Sequence, residues 1–143
     1  MAHKLFLDTN ILIDYTLERQ GELIEIEKIF NLAENSKIEL YVSESVLATT
    51  IYYLQKNKLN TLFIIRELSK VLHFLVFKKD ILFYSLEQFN DVEDGLLYFI
   101  ASNANMQYFI TRNLKDFKFT SPALPVLSPS KYLKEIYSND LPQ

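Results

Sequence analysis

Three aspartates stand where short apolar segments end or begin. Asp8 closes "KLFLD", Asp94 lies in the opening of "VEDGLLYFIA", and Asp116 follows "YFIT" within "YFITRNLKDF". Each has an ordinary reading. Asp8 can cap the next helix, Asp94 (like Asp91) suits the positive end of a helix, and Asp116 suits a turn. Together they suggest a cation site. Two carboxylates about 4 Å apart repel by about 1 kcal/mol in water and about 4 kcal/mol at an effective dielectric of about 20. Three in one place need protons or a divalent cation to balance them. Such a cation activates water, orients a phosphate and stabilises a leaving oxygen, so phosphodiester cleavage is the chemistry that fits.

The remaining residue types narrow the choice. The chain has no cysteine, which excludes thiol nucleophiles, disulfides and cysteine–zinc sites. Of its two histidines, His3 lies near the start, and His73 sits in the apolar "KVLHFLVF" and reads as a core or edge residue. A Ser-His-Asp triad or a histidine zinc site is therefore not expected. Gly21 and Gly95 are the two glycines, too few for a phosphate-cradling loop. Carboxylates alone favour hard cations such as Mg²⁺ or Mn²⁺.

The elements that must position these acids read as alternating strands and helices. "KLFLD" is a short continuous apolar strand, and "TNILIDYTL" opens a helix behind it. "GELIEIEKIFNLAENSK" has helical spacing; "IELYVS" is a strand; "SESVLATTIYYLQKN" and "LNTLFIIRELSKVL" are helices. "FLVF", residues 74–77, is the expected third strand, followed by a short helix over "KDILFYSLEQF". "NDVEDGLLYFIASNAN" is a helix capped by Asn90 or Asp91, "MQYFIT" a strand, "RNLKDFKF" a loop and "LPVLS" a last strand. Pro129 opens a terminal helix, as proline at a first helical position does. The pattern predicts an α/β fold with a mainly parallel sheet. In such a sheet ligands gather beyond the carboxyl ends of the strands, the rim where all three aspartates fall.

Length and charge set the outer bounds. The 143 residues, 49% hydrophobic and 14% aromatic, suit one domain over 1–137 with a tail at 138–143. The net charge of −3 gives no global field for nucleic acid, so an RNA partner must be held by a local basic patch or a metal. Neither an export signal nor a membrane-spanning run is apparent, and a cytoplasmic location is expected.

"LFLDTN", "VEDGLLYFIA", "YFITRNLKDF" and "PVLSPSKYL", in this order, resemble PIN-domain proteins, the metal-dependent ribonuclease fold common in VapC-like bacterial toxins. The resemblance implies a three-layer α/β/α sandwich, Mg²⁺ or Mn²⁺ in an acidic pocket, and endonucleolytic RNA cleavage through a metal-activated water. It also implies a homodimer and a cognate antitoxin protein. It assigns the catalytic and metal-holding acids to Asp8, Asp94 and Asp116. Asn10, Asp91, Thr111 and Asn113 become polar pocket residues. The chain departs from the family where most members have a glutamate in the helix after the second strand. "LATTIYYLQ" places Thr50 there, as in a branch carrying an uncharged polar residue, and Glu44 is six residues earlier. Arg112, Lys115 and Lys118 surround Asp116 and either hold RNA phosphates or form a solvated loop. Tyr52 and Tyr53 read as core or dimer surface, and Lys56 and Lys58 as solvated.

Two alternatives stay open. One is a PIN fold that binds RNA or protein without cutting. The other is a phosphotransferase of the haloacid dehalogenase kind, although the second acid of its Asp-x-Asp signature would fall at Asn10.

Overall fold

The strand expected at "KLFLD" is β1 (His3–Leu7), and it is sealed on both sides: Leu5, Phe6 and Leu7 have no exposed surface. A central strand of a parallel sheet is covered on both faces by helices, which is why its sequence is continuous rather than alternating. The structure, a computed structural model, describes residues 2–76, 78–88, 92–117 and 121–138.

From β1 the chain runs through α1 (Thr9–Thr16) and α2 (Leu23–Glu34) to β2 (Ile38–Ser43). It continues through α3 (Glu44–Lys56) and α4 (Thr61–Ser69) to β3 (Leu72–Leu75). Next come α5 (Lys79–Gln88), α6 (Val92–Asn103), β4 (Tyr108–Ile110), a 3₁₀ turn at Leu114–Asp116, and β5 (Val126–Leu127). A short α7 (Pro129–Lys131) ends in a π-helical stretch over Tyr132–Tyr137. The five strands pair in the order β3-β2-β1-β4-β5, and every pair is parallel. Leu5 of β1 lies opposite Leu40 of β2 and Tyr108 of β4. With this order, the right-handed rule for parallel crossovers assigns α1 to α4 to one face of the sheet and, after the return from β3 to β4, α5 and α6 to the other. The layered α/β architecture expected from the sequence is therefore present. Among the described residues no helix is long and apolar enough to cross a membrane.

The core fills the space between sheet and helices with Ile11, Leu12, Ile26, Ile29 and Phe30 from the first two helices and Leu97, Ile100 and Ala101 from α6. Each fully buried leucine, isoleucine or phenylalanine contributes about 1.5–3 kcal/mol relative to exposure. His3 is part of this core. It is 6% exposed, and its Nδ1 shares a 2.9 Å hydrogen bond with the Tyr132 hydroxyl.

Two elements differ from expectation. β3 spans Leu72–Leu75 rather than 74–77, and Phe77 lies outside the described residues. As an edge strand it is covered less fully: Phe74 is 45% exposed, and exposed His73 stacks on Tyr41 at 4.7 Å. The terminal helix does open at Pro129, with Ser128 Oγ accepting from the Lys131 N–H. It then widens to the π form, with five-residue hydrogen-bond steps.

Candidate functional site

The sheet order makes β1 and β4 a topological switch point. From β1 the chain goes outward to β2 and β3, then crosses back to β4 and β5. The crevice beyond the carboxyl ends of β1 and β4 is where such a fold binds ligands. Asp8 sits there. Its N–H donates to Ile110 O at 2.9 Å, extending the ladder by one residue. Its side chain caps α1 by accepting from the Thr9 N–H at Oδ1, 2.8 Å. Of the two readings the sequence posed for Asp8, capping is present in the geometry. Oδ2 accepts from the Thr111 hydroxyl at 2.7 Å and from Asn10 Nδ2 at 3.1 Å, and the carboxyl is held by three donors with Asp8 4% exposed. Burial pushes its pKa above 3.8; those hydrogen bonds pull the other way, and the Glu93 charge adds a further upward push.

Asp8, Asp94 and Asp116 line one cleft of about 310 Å³, together with Asn10 and Asn113. Half-buried Asp94 comes from the first turn of α6, and exposed Asp116 from the 3₁₀ turn beyond β4. Thr111 is fully buried behind Asp8; its Oγ1 accepts from the Asn113 N–H at 3.0 Å and from Asn10 Nδ2 at 3.3 Å. Asn10 Oδ1 accepts from the Arg112 N–H at 3.2 Å, tying the loop after β4 to the start of α1. Asp91 and Lys118 lie outside the described residues.

Two residues, Thr50 and Tyr53, lie elsewhere than expected, and Arg112 and Lys115 take definite places. Thr50 is not a cleft residue. It is fully buried, and its hydroxyl donates to Val46 O at 2.8 Å. The cleft wall on α3 is made by Thr49 and, one turn on, Tyr53. A single step along a helix rotates a side chain by about 100°, enough to exchange wall for core. Arg112 does line the cleft, but its guanidinium is engaged: Nε donates to Asp14 Oδ2 at 2.8 Å, and Asp14 is 3% exposed. Lys115 is exposed and is not among the cleft-lining residues. Tyr53 belongs to the cleft rather than to the core, whereas Tyr52 is 59% exposed.

Two further cleft residues had no clear sequence signal. Glu93, beside Asp94, is near enough to raise the Asp8 pKa through its charge. Arg19 reaches the cleft from the turn after α1. A larger hollow of about 770 Å³ lies among α1, α2 and α4, but it contains none of the residues around Asp8.

The donor set suits a hard divalent cation: Asp8, Glu93, Asp94 and Asp116 offer carboxylate oxygens, with neither sulfur nor imidazole in the cleft. Asp8 is buried, and among the described residues its three hydrogen-bond donors are neutral. Among the described residues, no three acidic or imidazole groups stand close enough together to hold one ion as placed.

A family profile described as a PIN domain matches residues 4–115, most of the chain. This chain belongs to the PIN-domain family. The phosphotransferase alternative falls with that assignment. Solved PIN-like structures agree in fold. A toxin–antitoxin complex from Klebsiella pneumoniae is 21% identical with a TM-score of 0.66, covering 87% of this chain and 97% of that one. VapBC2 from Rickettsia felis, solved with a DNA fragment from its promoter, is 22% identical with a TM-score of 0.64 and covers 87% and 98%. VapC20 of Mycobacterium tuberculosis, described as a toxin that cleaves the sarcin-ricin loop, is 14% identical with a TM-score of 0.56 and covers 73% and 86%. At these identities the likeness is one of fold. A search of curated proteins gives no match.

Proposed function

We propose that this PIN domain is a divalent-cation-dependent endoribonuclease, the toxin of a toxin–antitoxin pair. The observation that carries the reading is a buried, triply hydrogen-bonded Asp8 at the switch point, sharing one cleft with Glu93, Asp94 and Asp116. Those four carboxylates would hold Mg²⁺ or Mn²⁺, with the exposed Glu93 and Asp116 turning inward to do so. When bound, the cation supplies Lewis-acid charge to the phosphodiester and lowers the pKa of water. The chain's own residues do the rest. Thr9, Asn10 and Thr111 hold the Asp8 carboxylate in one orientation. Asn113, placed by its N–H bond to Thr111, offers the cleft a neutral amide for a phosphate oxygen or sugar hydroxyl.

An antitoxin protein partner and a homodimer in the cytoplasm complete this reading, with residues 1–137 as the working domain. The toxin–antitoxin complexes among the structural neighbours support the partner. A second reading, a PIN fold that binds RNA without cutting, is favoured by the uncharged Thr49 and by carboxylates that do not converge as placed. Incubating the protein with structured and unstructured RNA, in Mg²⁺, Mn²⁺ or EDTA, separates the two. Cleavage that needs the metal and disappears in Asp8→Asn is expected. Equal cleavage by both proteins removes the nuclease reading, and binding without cleavage selects the second.

A further inference from the structure

The two sides of the cleft differ in charge. β1, α6 and the loop after β4 supply Asp8, Glu93, Asp94 and Asp116, together with an Arg112 already committed to Asp14. The α1 turn and α3 supply Arg19, Thr49 and Tyr53. Arg19 is placed by a tight reversal: Glu18 adopts φ 52°, and the Arg19 N–H donates to Asp14 O at 3.0 Å. Its guanidinium carbon then lies 5.8 Å from the centre of the Tyr53 ring, and Lys56 Nζ lies 6.0 Å from the same centre. Arg19 makes no salt bridge among the described residues, and the residues of α3 that line the cleft with it, Thr49 and Tyr53, are neutral.

We propose that Arg19, braced on Tyr53 and backed by Lys56, is a binding site for an RNA backbone phosphate beside the acidic side of the cleft. A polyanion entering a cleft with four carboxylates meets repulsion, and a fixed cation in the same hollow offsets it. Guanidinium suits the task. It stays charged, it lies against aromatic rings, and its N–H edges match phosphate oxygens two at a time. The uncharged wall at Thr49 keeps it available, since a carboxylate there would compete with phosphate for the same N–H groups.

This inference rests on the ribonuclease reading, and its test separates the two. The full chain carrying Asp8→Asn is titrated against a fluorescently labelled single-stranded RNA in Mg²⁺, alone and combined with Arg19→Ala, Arg19→Lys, Tyr53→Leu or Lys28→Ala. Lys28 is an exposed residue of α2 outside the cleft and serves as a charge control. Arg19→Ala is expected to raise Kd about tenfold and to flatten the log Kd against log salt slope by about 0.7, the value for one lost contact to a single strand. Arg19→Lys should recover part of the affinity, Tyr53→Leu should lose part of it, and Lys28→Ala should change nothing. In the cleaving protein Arg19→Ala should act mainly on KM. Unchanged affinity and slope in Arg19→Ala, or an equal loss in Lys28→Ala, overturns the site. A wild-type protein that never cleaves, yet loses binding with Arg19→Ala, overturns the nuclease reading and keeps the phosphate site.

Discussion

Asp8 sets the pH behaviour expected of the proposed cation site. Burial, and to a lesser degree Glu93, raises its folded pKa above 3.8. The native state therefore holds the proton more tightly than the unfolded chain. Its stabilising contribution is complete below 3.8 and is lost as pH rises through the folded value. Whenever Asp8 is ionised its charge is buried, and a bound cation would relieve it. Mg²⁺ at about 100 times its Kd should stabilise by about 2.7 kcal/mol, a melting shift of about 5–10 °C for a chain of this size. Protons compete for the same oxygens, so the shift should fade on acidification with a midpoint above 3.8. A shift that persists unchanged to about pH 4 would exclude Asp8 as a ligand. Thr49 and Thr50 offer a paired test one residue apart. Thr49→Glu adds a carboxylate to the cleft wall and should tighten Mn²⁺ binding about tenfold, read by calorimetry. Thr50→Glu places a charge where no surface is exposed, and should cost about 3–5 kcal/mol in chemical denaturation.

At the scale of elements, the loop bearing Asn113 and Asp116 is fastened to α1 by the Arg112–Asp14 pair and by the bond from Arg112 N–H to Asn10. The two ends of this pair are not equivalent, since the Arg112 side chain is 44% exposed and that of Asp14 only 4%. Arg112→Ala leaves a buried carboxylate without its cation and should cost about 2–4 kcal/mol; Asp14→Ala leaves an arginine that can turn to water and should cost about 1–2 kcal/mol. Urea denaturation of both variants checks the order, and the reverse order would show that Asp14 is solvated by another route. Much of this arrangement was legible in advance. Short apolar runs located β1, β2 and β4, because buried parallel strands need no alternation. Asp8, Asp94 and Asp116 were legible as a rim set, because the sheet order brings strand ends together. The wall on α3 was misplaced by one residue, though its signal was present. Val46, Thr50 and Leu54 recur every four residues as the buried face of α3, which sends Thr49 and Tyr53 to the cleft. β3 was misplaced because "FLVF" looks like core, while an edge strand leaves Phe74 and Val76 in solvent. Arg19 had no pattern to betray it. Its position depends on a non-glycine residue, Glu18, adopting the left-handed conformation.

At the scale of the whole molecule, a net charge of −3 and four cleft carboxylates change what salt should do to RNA binding. A protein that binds through a broad basic face loses affinity steeply with monovalent salt, and Mg²⁺ weakens it further by competing for phosphates. Among the described residues the cations near the proposed path are few: Arg19 and Lys56, with Lys115 on the turn after β4. At about 0.7 per single-strand phosphate contact, three contacts set a slope no steeper than about −2. Mg²⁺ should have the opposite sign from its usual effect. By neutralising the carboxylates around Asp8 it would remove repulsion from the cleft proposed to take the strand, so affinity should rise through the same Mg²⁺ range that raises the melting temperature. The measurement is RNA binding by the Arg112→Lys and wild-type proteins across Mg²⁺ at fixed ionic strength, read by stopped-flow fluorescence before cleavage proceeds, with both expected to show the rise because Arg112 is committed to Asp14 rather than to phosphate. A monotonic fall with Mg²⁺ would mean that RNA binds away from the acids. The cleft at the β1–β4 switch point would then have to serve some other ligand.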